Sequence, residues 1–286
     1  MVEPATTQGY SAPPRAVAAL AQNAFYKIVR SLDRHPPAEA AIANSSSHNR
    51  VAKAIQDKIH DNNWLGEIRK HYAAHGPSSR VDYSNPLLFS SFDTLYFFKN
   101  LFKACSISAY LQTKFSTRQL TNIVDLGCGS GAFGLSWYQI HRDLDADETS
   151  TPPHIAFVDN QDWQLHIAGA LAQSLEVKQF HLINDDVFET NFPVEYLRIS
   201  SYLFCGQSDR LKLIDSGQFE RIFGAAAAIV DYENTLAALQ SQAEIYGYRT
   251  LWIRLRSTVP PQFLELTRSF KIEARALVII KNIAAI

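Results

Sequence analysis

Between residues 121 and 286 the chain alternates short apolar runs with stretches whose apolar positions recur at helical spacing. Apolar runs bounded by turn residues read as buried strands, and the helical spacing reads as covering helices. Strands are predicted over 123–126, 154–159, 178–183, 196–205, 226–232, 249–256 and 274–280, with helices over 132–141, 208–223 and 233–246, the last stopped by Gly247. Strand and helix in alternation imply an α/β fold: a doubly wound, mostly parallel sheet covered on both faces, with ligands bound at the carboxyl ends of its strands. The first third reads differently. Val17, Leu20, Ala21, Ala24 and Ile28 recur at helical spacing, Pro36-Pro37 closes that segment, and further helical stretches follow over 39–43 and 51–68. A strongly aromatic helix over 90–111 carries Phe92, Tyr96, Phe97, Phe98, Phe102 and Tyr110, a density that predicts a helix packed on a domain face. The chain thus divides into a polar, proline-bearing tail over 1–14, a helical region over 15–120 and an α/β domain over 121–286.

The candidate chemistry concentrates where the first predicted strand ends. Ile123-Val124-Asp125-Leu126-Gly127-Cys128-Gly129-Ser130-Gly131 runs from an apolar strand into a glycine turn and then a helix. Glycines at this junction permit the sharp reversal and leave room for a ligand, and the helix start offers unpaired amides to its polar parts. Asp125 would repel a pyrophosphate but accept hydrogen bonds from an ammonium group. The second strand ends in Asp159, a carboxylate suited to the hydroxyls of a cofactor ribose. It lies 28 residues after Gly131, where a dinucleotide fold places it at about 20; the excess is a polar loop over 143–153 that ends in Pro152-Pro153. Gly127, Gly129 and Ala132 also satisfy G-x-G-x-x-G/A, so a nicotinamide dehydrogenase stands as an alternative.

The glycine segment resembles motif I of the class I S-adenosylmethionine-dependent methyltransferases, and the resemblance continues through Asp159-Asn160 with its following helix and through Asp185-Asp186-Val187 after the third strand. It implies a Rossmann-like, seven-stranded, mostly parallel sheet with an antiparallel last strand, preceded by a helical region. It implies S-adenosylmethionine as cofactor, with Asp125, Gly127, Cys128, Gly129 and Gly131 around it, Asp159 and Asn160 at the ribose, and Asp186 and Val187 at the adenine. Tyr202, after the fourth strand, counts as both a cofactor and a catalytic candidate, with Asp231 and Tyr232 after the fifth. The helical region would cover the site, which makes Tyr83 and Phe92, with Glu233, candidates for acceptor binding. The aspartate usual near the start of the fourth strand is replaced here by Glu195 and Tyr196. A methyltransferase-fold scaffold without catalysis is therefore the other alternative.

Composition narrows these readings. A chain of 286 residues with 47% hydrophobic residues buries a full core, and a net charge of −1 gives it no overall polyelectrolyte character. Its charge is divided, however: residues 1–120 hold 14 Lys or Arg against 8 Asp or Glu, a net of +6, and residues 121–286 hold 13 against 20, a net of −7. The cations are dispersed rather than clustered, so a small, partly apolar methyl acceptor is favoured over RNA or protein. Cys105, Cys128 and Cys205 have neither paired nor metal-ligand spacing, and Cys128 reads as a small turn residue rather than a nucleophile. No secretory leader or membrane-length apolar run is visible, so a cytoplasmic enzyme is expected.

Overall fold

The computed structural model describes residues 10–34, 86–115, 120–145, 151–204, 207–267 and 269–281. The apolar runs become the strands β1 (Asn122–Leu126), β2 (His154–Asp159), β3 (Gln179–Asn184), β4 (Leu197–Ser201), β5 (Ala226–Val230), β6 (Arg249–Thr258) and β7 (Lys271–Ile280). They form one seven-stranded sheet in the order β3-β2-β1-β4-β5-β7-β6. β1 to β5 are mutually parallel, and β7 is antiparallel to both its neighbours, β5 and β6. β1 and β5 are buried nearly throughout because both faces of a central parallel strand are covered, and β5 is apolar at every position. The strand order reverses at β1, which places the carboxyl ends of β1, β2 and β3 on one side of the reversal and those of β4 and β5 on the other.

One face of the sheet is covered by α1 (Arg15–Arg34), α2 (Pro86–Lys114), α3 (Ala132–Leu144) and α4 (Asp162–Ser174), and the other by α5 (Ser216–Phe223) and α6 (Glu233–Ile245). From Phe97 to Gln112 the aromatic helix α2 is largely buried between α1, α3 and the β6–β7 pair, which accounts for its many apolar positions. Phe102 meets Phe25 of α1 edge-on at 5.2 Å, Gln112 donates to the Trp137 carbonyl at 3.0 Å, and the Ser106 hydroxyl lies 3.3 Å from that of Ser257. From α1, Asn23 (3.0 Å) and Lys27 (2.5 Å) both bond the Asp143 carboxylate at the end of α3. The helices of residues 15–114 that are described therefore share one core with the sheet.

Local chemistry explains where elements depart from expectation. The helix predicted over 208–223 is broken into a single turn, Ser208–Leu211, and α5. Asp215 causes the break: its side chain accepts from the Gln218 amide at 2.8 Å while Gln218 accepts from the Asp215 amide at 3.1 Å, a reciprocal cap that starts a new helix. β4 stops at Ser201 rather than near residue 205, because Tyr202 turns the chain into a left-handed conformation (φ 60°). Ser11 bridges Leu255 of β6, so the end of the expected tail is tied to the sheet. Before β4, fully buried Arg198 donates to the carbonyls of Phe192, Pro193 and Tyr196 at 2.9–3.1 Å, fixing the connection from β3. Burial lowers its pKa to about 10. The helical stretches expected over 39–43 and 51–68, and Tyr83, lie outside the described residues. Phe92 falls within α2, where only the backbone is described.

Candidate functional site

The glycine turn joins β1 to α3 through three left-handed residues, Gly127 (φ 59°), Gly129 (φ 52°) and Gly131 (φ 79°). A side chain at Gly127 would place its Cβ 2.5 Å from Leu203 Cδ1, and one at Gly129 would lie 2.9 Å from Gln164 Oε1. Both positions thus need glycine twice over, for conformation and for room. The turn is held by the Cys128 amide, which donates to the Val158 carbonyl of β2 at 2.9 Å. Cys128 is buried beside Asp159 and Asp125. Burial chiefly, and then those carboxylates, push its thiol well above the usual range, so it stays protonated and unreactive.

Asp125 is buried at the end of β1, and its Oδ2 accepts from the Gly134 amide in the first turn of α3 at 2.8 Å. Burial holds its pKa well above the usual carboxylate value, against the opposing pull of that hydrogen bond. Asp159, at the end of β2, takes the Gly129 amide on Oδ2 at 3.0 Å and the Gln161 amide on Oδ1 at 2.9 Å. Its pKa is also raised by burial, against the opposing pull of the Gly129, Gln161 and Asn160 amides, and a carboxylate's four acceptor positions leave one for a further donor. Asn160 is exposed directly after it. Beyond β3, Asp186 accepts from the Phe188 amide at 3.0 Å and pairs with Arg210 at 2.8 Å, while Arg210 stacks 4.0 Å over the Phe188 ring. The Val187 amide makes no hydrogen bond among the described residues. One group escaped the sequence reading here. Gln164 of α4 is buried against Gly129, and its Oε1 has no hydrogen-bond partner among the described residues.

The carboxyl ends of β4 and β5 carry a second cluster. Tyr202 donates its amide to the Val230 carbonyl at 2.8 Å, and its ring meets Tyr232 edge-on at 5.4 Å. Asp231 is buried and accepts from the Phe204 amide at 3.0 Å and the Tyr232 amide at 2.7 Å, which binds the loop after β4 to the end of β5. Glu233 opens α6 and is held by Arg254 at 2.9 Å and Arg275 at 3.0 Å. The sequence reading did not find Lys103. From α2 its Nζ donates to the Tyr202 hydroxyl and stands 4.7 Å over that ring. Burial, and then the like charges of Lys99 and Arg275, lower its pKa to about 8. Residue 103 lies 99 positions before residue 202, and an isolated lysine in an aromatic helix carries no motif.

Five parallel strands therefore deliver Asp125, Asp159, Asp186, Tyr202 and Asp231 to one edge, as the alternation of elements predicts. The reversed β7, inserted between β5 and β6, is what a plain dinucleotide fold does not require. The architecture is that of the class I methyltransferases. No protein-family model matches the sequence, and no curated protein does. Among solved structures the chain is similar to the magnesium protoporphyrin IX methyltransferase of Synechocystis with bound SAM, at 12% identity and a TM-score of 0.47 over 80% of this chain and 96% of that one. It is also similar to a SAM-dependent methyltransferase from Aquifex aeolicus (13% identity, TM-score 0.43, 68% of this chain and 98% of that one). A third is the ribosomal protein L11 methylase of Lactobacillus delbrueckii (10% identity, TM-score 0.43, 65% of this chain and 80% of that one).

Proposed function

We propose that the chain is an S-adenosylmethionine-dependent methyltransferase that moves a methyl group to an oxygen or nitrogen of a small, partly apolar molecule. The observation that carries this reading is the glycine turn closed onto Asp159: a strand-end carboxylate bonded to the Gly129 amide, beside glycines whose Cβ positions are filled by neighbouring side chains. The residues fit the cofactor's parts. Asp125, burdened by its own burial, gains from an ammonium group nearby; Asp159 has acceptor capacity for a ribose hydroxyl; Asp186 and the Val187 amide offer an acceptor and a donor for an adenine edge; Gln164 offers beside Gly129 an acceptor that is unpaired among the described residues.

The cofactor supplies a methyl group activated on a sulfonium, which leaves as a neutral thioether. What remains for the protein is to align the acceptor, exclude water and handle a proton where the acceptor is a hydroxyl. Tyr202, held in a left-handed conformation at the end of β4, is the residue we assign to that last role, with Asp231 holding its loop in place and Tyr232 packing on its ring. Titration calorimetry with S-adenosylmethionine, S-adenosylhomocysteine, NAD and NADP tests the reading. Micromolar binding of the first two alone is expected. Binding of NAD or NADP instead would move the glycine turn to the dehydrogenase reading, and binding of none would leave a scaffold.

A further inference from the structure

The cofactor candidates lie at the ends of β1, β2 and β3, whereas Lys103, Tyr202, Tyr232 and Arg275 gather across the reversal of strand order. Arg275 is placed there by register: Ala276 pairs with Val230, the last residue of β5, so Arg275 stands just beyond the β5 carboxyl end. Lys103 reaches the same place from α2, which runs along the β6–β7 pair, as the Ser106–Ser257 contact marks. Lys99 lies one turn earlier on that helix.

Among the described residues the cations here outnumber the carboxylates within reach of Lys103. Lys103 is partly buried, and its only hydrogen-bond partner among the described residues is a phenol, with no carboxylate paired to it. Lys99 likewise forms no ion pair among the described residues. Arg254 and Arg275 share the single carboxylate of Glu233. Among the described residues the carboxylates near Lys103, Lys99 and Arg275 are Glu233, already held by two arginines, and Asp231, which accepts from two backbone amides. A cation withdrawn from water without a counter-charge is costly, and no carboxylate among the described residues pairs with Lys103. The lowered pKa of the amine is the same imbalance expressed as proton affinity.

We infer that the methyl acceptor is an anion, carrying a carboxylate or a phosphate that Lys103 receives with Lys99 and Arg275 beside the Tyr202–Tyr232 ring pair. This inference rests on the methyltransferase reading and names the substrate class of that site. The aromatic pair suits the apolar body of such a molecule, and the arrangement places its charged end next to Tyr202 rather than in the cofactor cradle.

The test uses the full chain saturated with S-adenosylhomocysteine and a matched panel of probes: benzoate, phenylacetate and phenyl phosphate against benzamide, phenylacetamide and benzyl alcohol, with affinities from ligand-observed NMR. At least one of the anions is expected to bind at least tenfold more tightly than its neutral counterpart. Lys103→Met is expected to remove that preference, and Lys99→Gln, a partly exposed position that leaves the core intact, to halve it or more. Equal affinity for anions and neutral probes in the wild-type chain would overturn the inference, as would an anion preference that survives in both variants. A Lys103→Met chain that keeps the preference but loses S-adenosylhomocysteine affinity would overturn it too, by assigning the cation to the cofactor's carboxylate. A wild-type chain that binds no S-adenosylhomocysteine defeats the methyltransferase reading itself, a result separate from these.

Discussion

The two halves of the sheet's carboxyl edge differ in charge. On the β1–β3 side the groups are carboxylates, Asp125, Asp159 and Asp186, and backbone amides of turns and helix starts hold each of them. On the β4–β5 side Lys103 and Arg275 join Asp231 and Glu233, and side chains rather than backbone hold the two cations, the Tyr202 hydroxyl one and the Glu233 carboxylate the other. Both halves contain charge that burial penalises, raising the pKa of Asp125 and lowering that of Lys103. A fold that keeps such groups gives up stability which a ligand of the opposite sign restores, an ammonium on one side and an anion on the other.

The contrast breaks most sharply at Gly129. A β-branched side chain there must adopt a left-handed backbone and fill space against Gln164, so Gly129→Val should lower S-adenosylhomocysteine affinity more than about 100-fold, with the anion-binding half unaffected; calorimetry on both ligands checks this. Asp159→Ala should cost about 1.5–3 kcal/mol of cofactor affinity through lost charge-assisted hydrogen bonds, read in the same titration.

The opposite signs of Asp125 and Lys103 give opposite pH dependences. A carboxyl whose folded pKa is raised binds more protons in the folded state, so its burden on stability is absent at low pH and grows as pH rises above the ordinary carboxylate value. Asp125→Asn keeps an acceptor for the Gly134 amide; it should raise the melting temperature at pH 7 by ~2–4 °C, the shift that about 1 kcal/mol produces, and the gain should vanish as the solution is acidified. Lys103 behaves in reverse. An amine whose folded pKa falls from 10.5 to about 8 burdens the fold below pH 8 and is relieved as pH climbs through that interval. Lys103→Met should therefore raise the melting temperature at pH 7, by a shift of that same order, with a gain that fades towards pH 10. Calorimetric scans across pH distinguish the two slopes, and parallel slopes would dissolve the comparison.

The smallest effect on ligand binding is expected at Gly247, outside both halves. It also adopts a left-handed conformation (φ 80°), yet its Cβ would meet nothing within 4 Å. Gly247→Ala should cost about 1 kcal/mol of stability through backbone strain alone and leave cofactor affinity unchanged.

The two halves also differ in how they are written in the chain. Gly127, Gly129, Asp159 and Asp186 occupy strand ends in sequence order, where local pattern and spacing suffice to place them, and the strands were legible for the same reason. Lys103 meets Tyr202, and Arg275 comes near Lys103, only because α2 packs along the β6–β7 pair and β7 enters the sheet backwards; no local pattern encodes that arrangement. Glu233 was found by its position after β5, but its arginine partners lie 21 and 42 residues further on. The early end of β4 was equally hidden, because a tyrosine at positive φ has no sequence signal of the kind that glycine provides.

The contact made by Ser11 has a bearing on self-association. β6 is a ten-residue strand at the border of the sheet, with its outer row of amides and carbonyls facing away from β7. Ser11 takes up part of that row, donating to the Arg254 carbonyl at 3.1 Å and accepting from the Arg256 amide at 2.9 Å, while Tyr10 lies near both Arg256 and Arg275. A long, unpaired border strand is a template on which a second chain can add its own strand. Tyr10 and Ser11 thus occupy part of that template, and trimming the chain back to Arg15 would expose it and at the same time uncover Arg275 beside the proposed acceptor site.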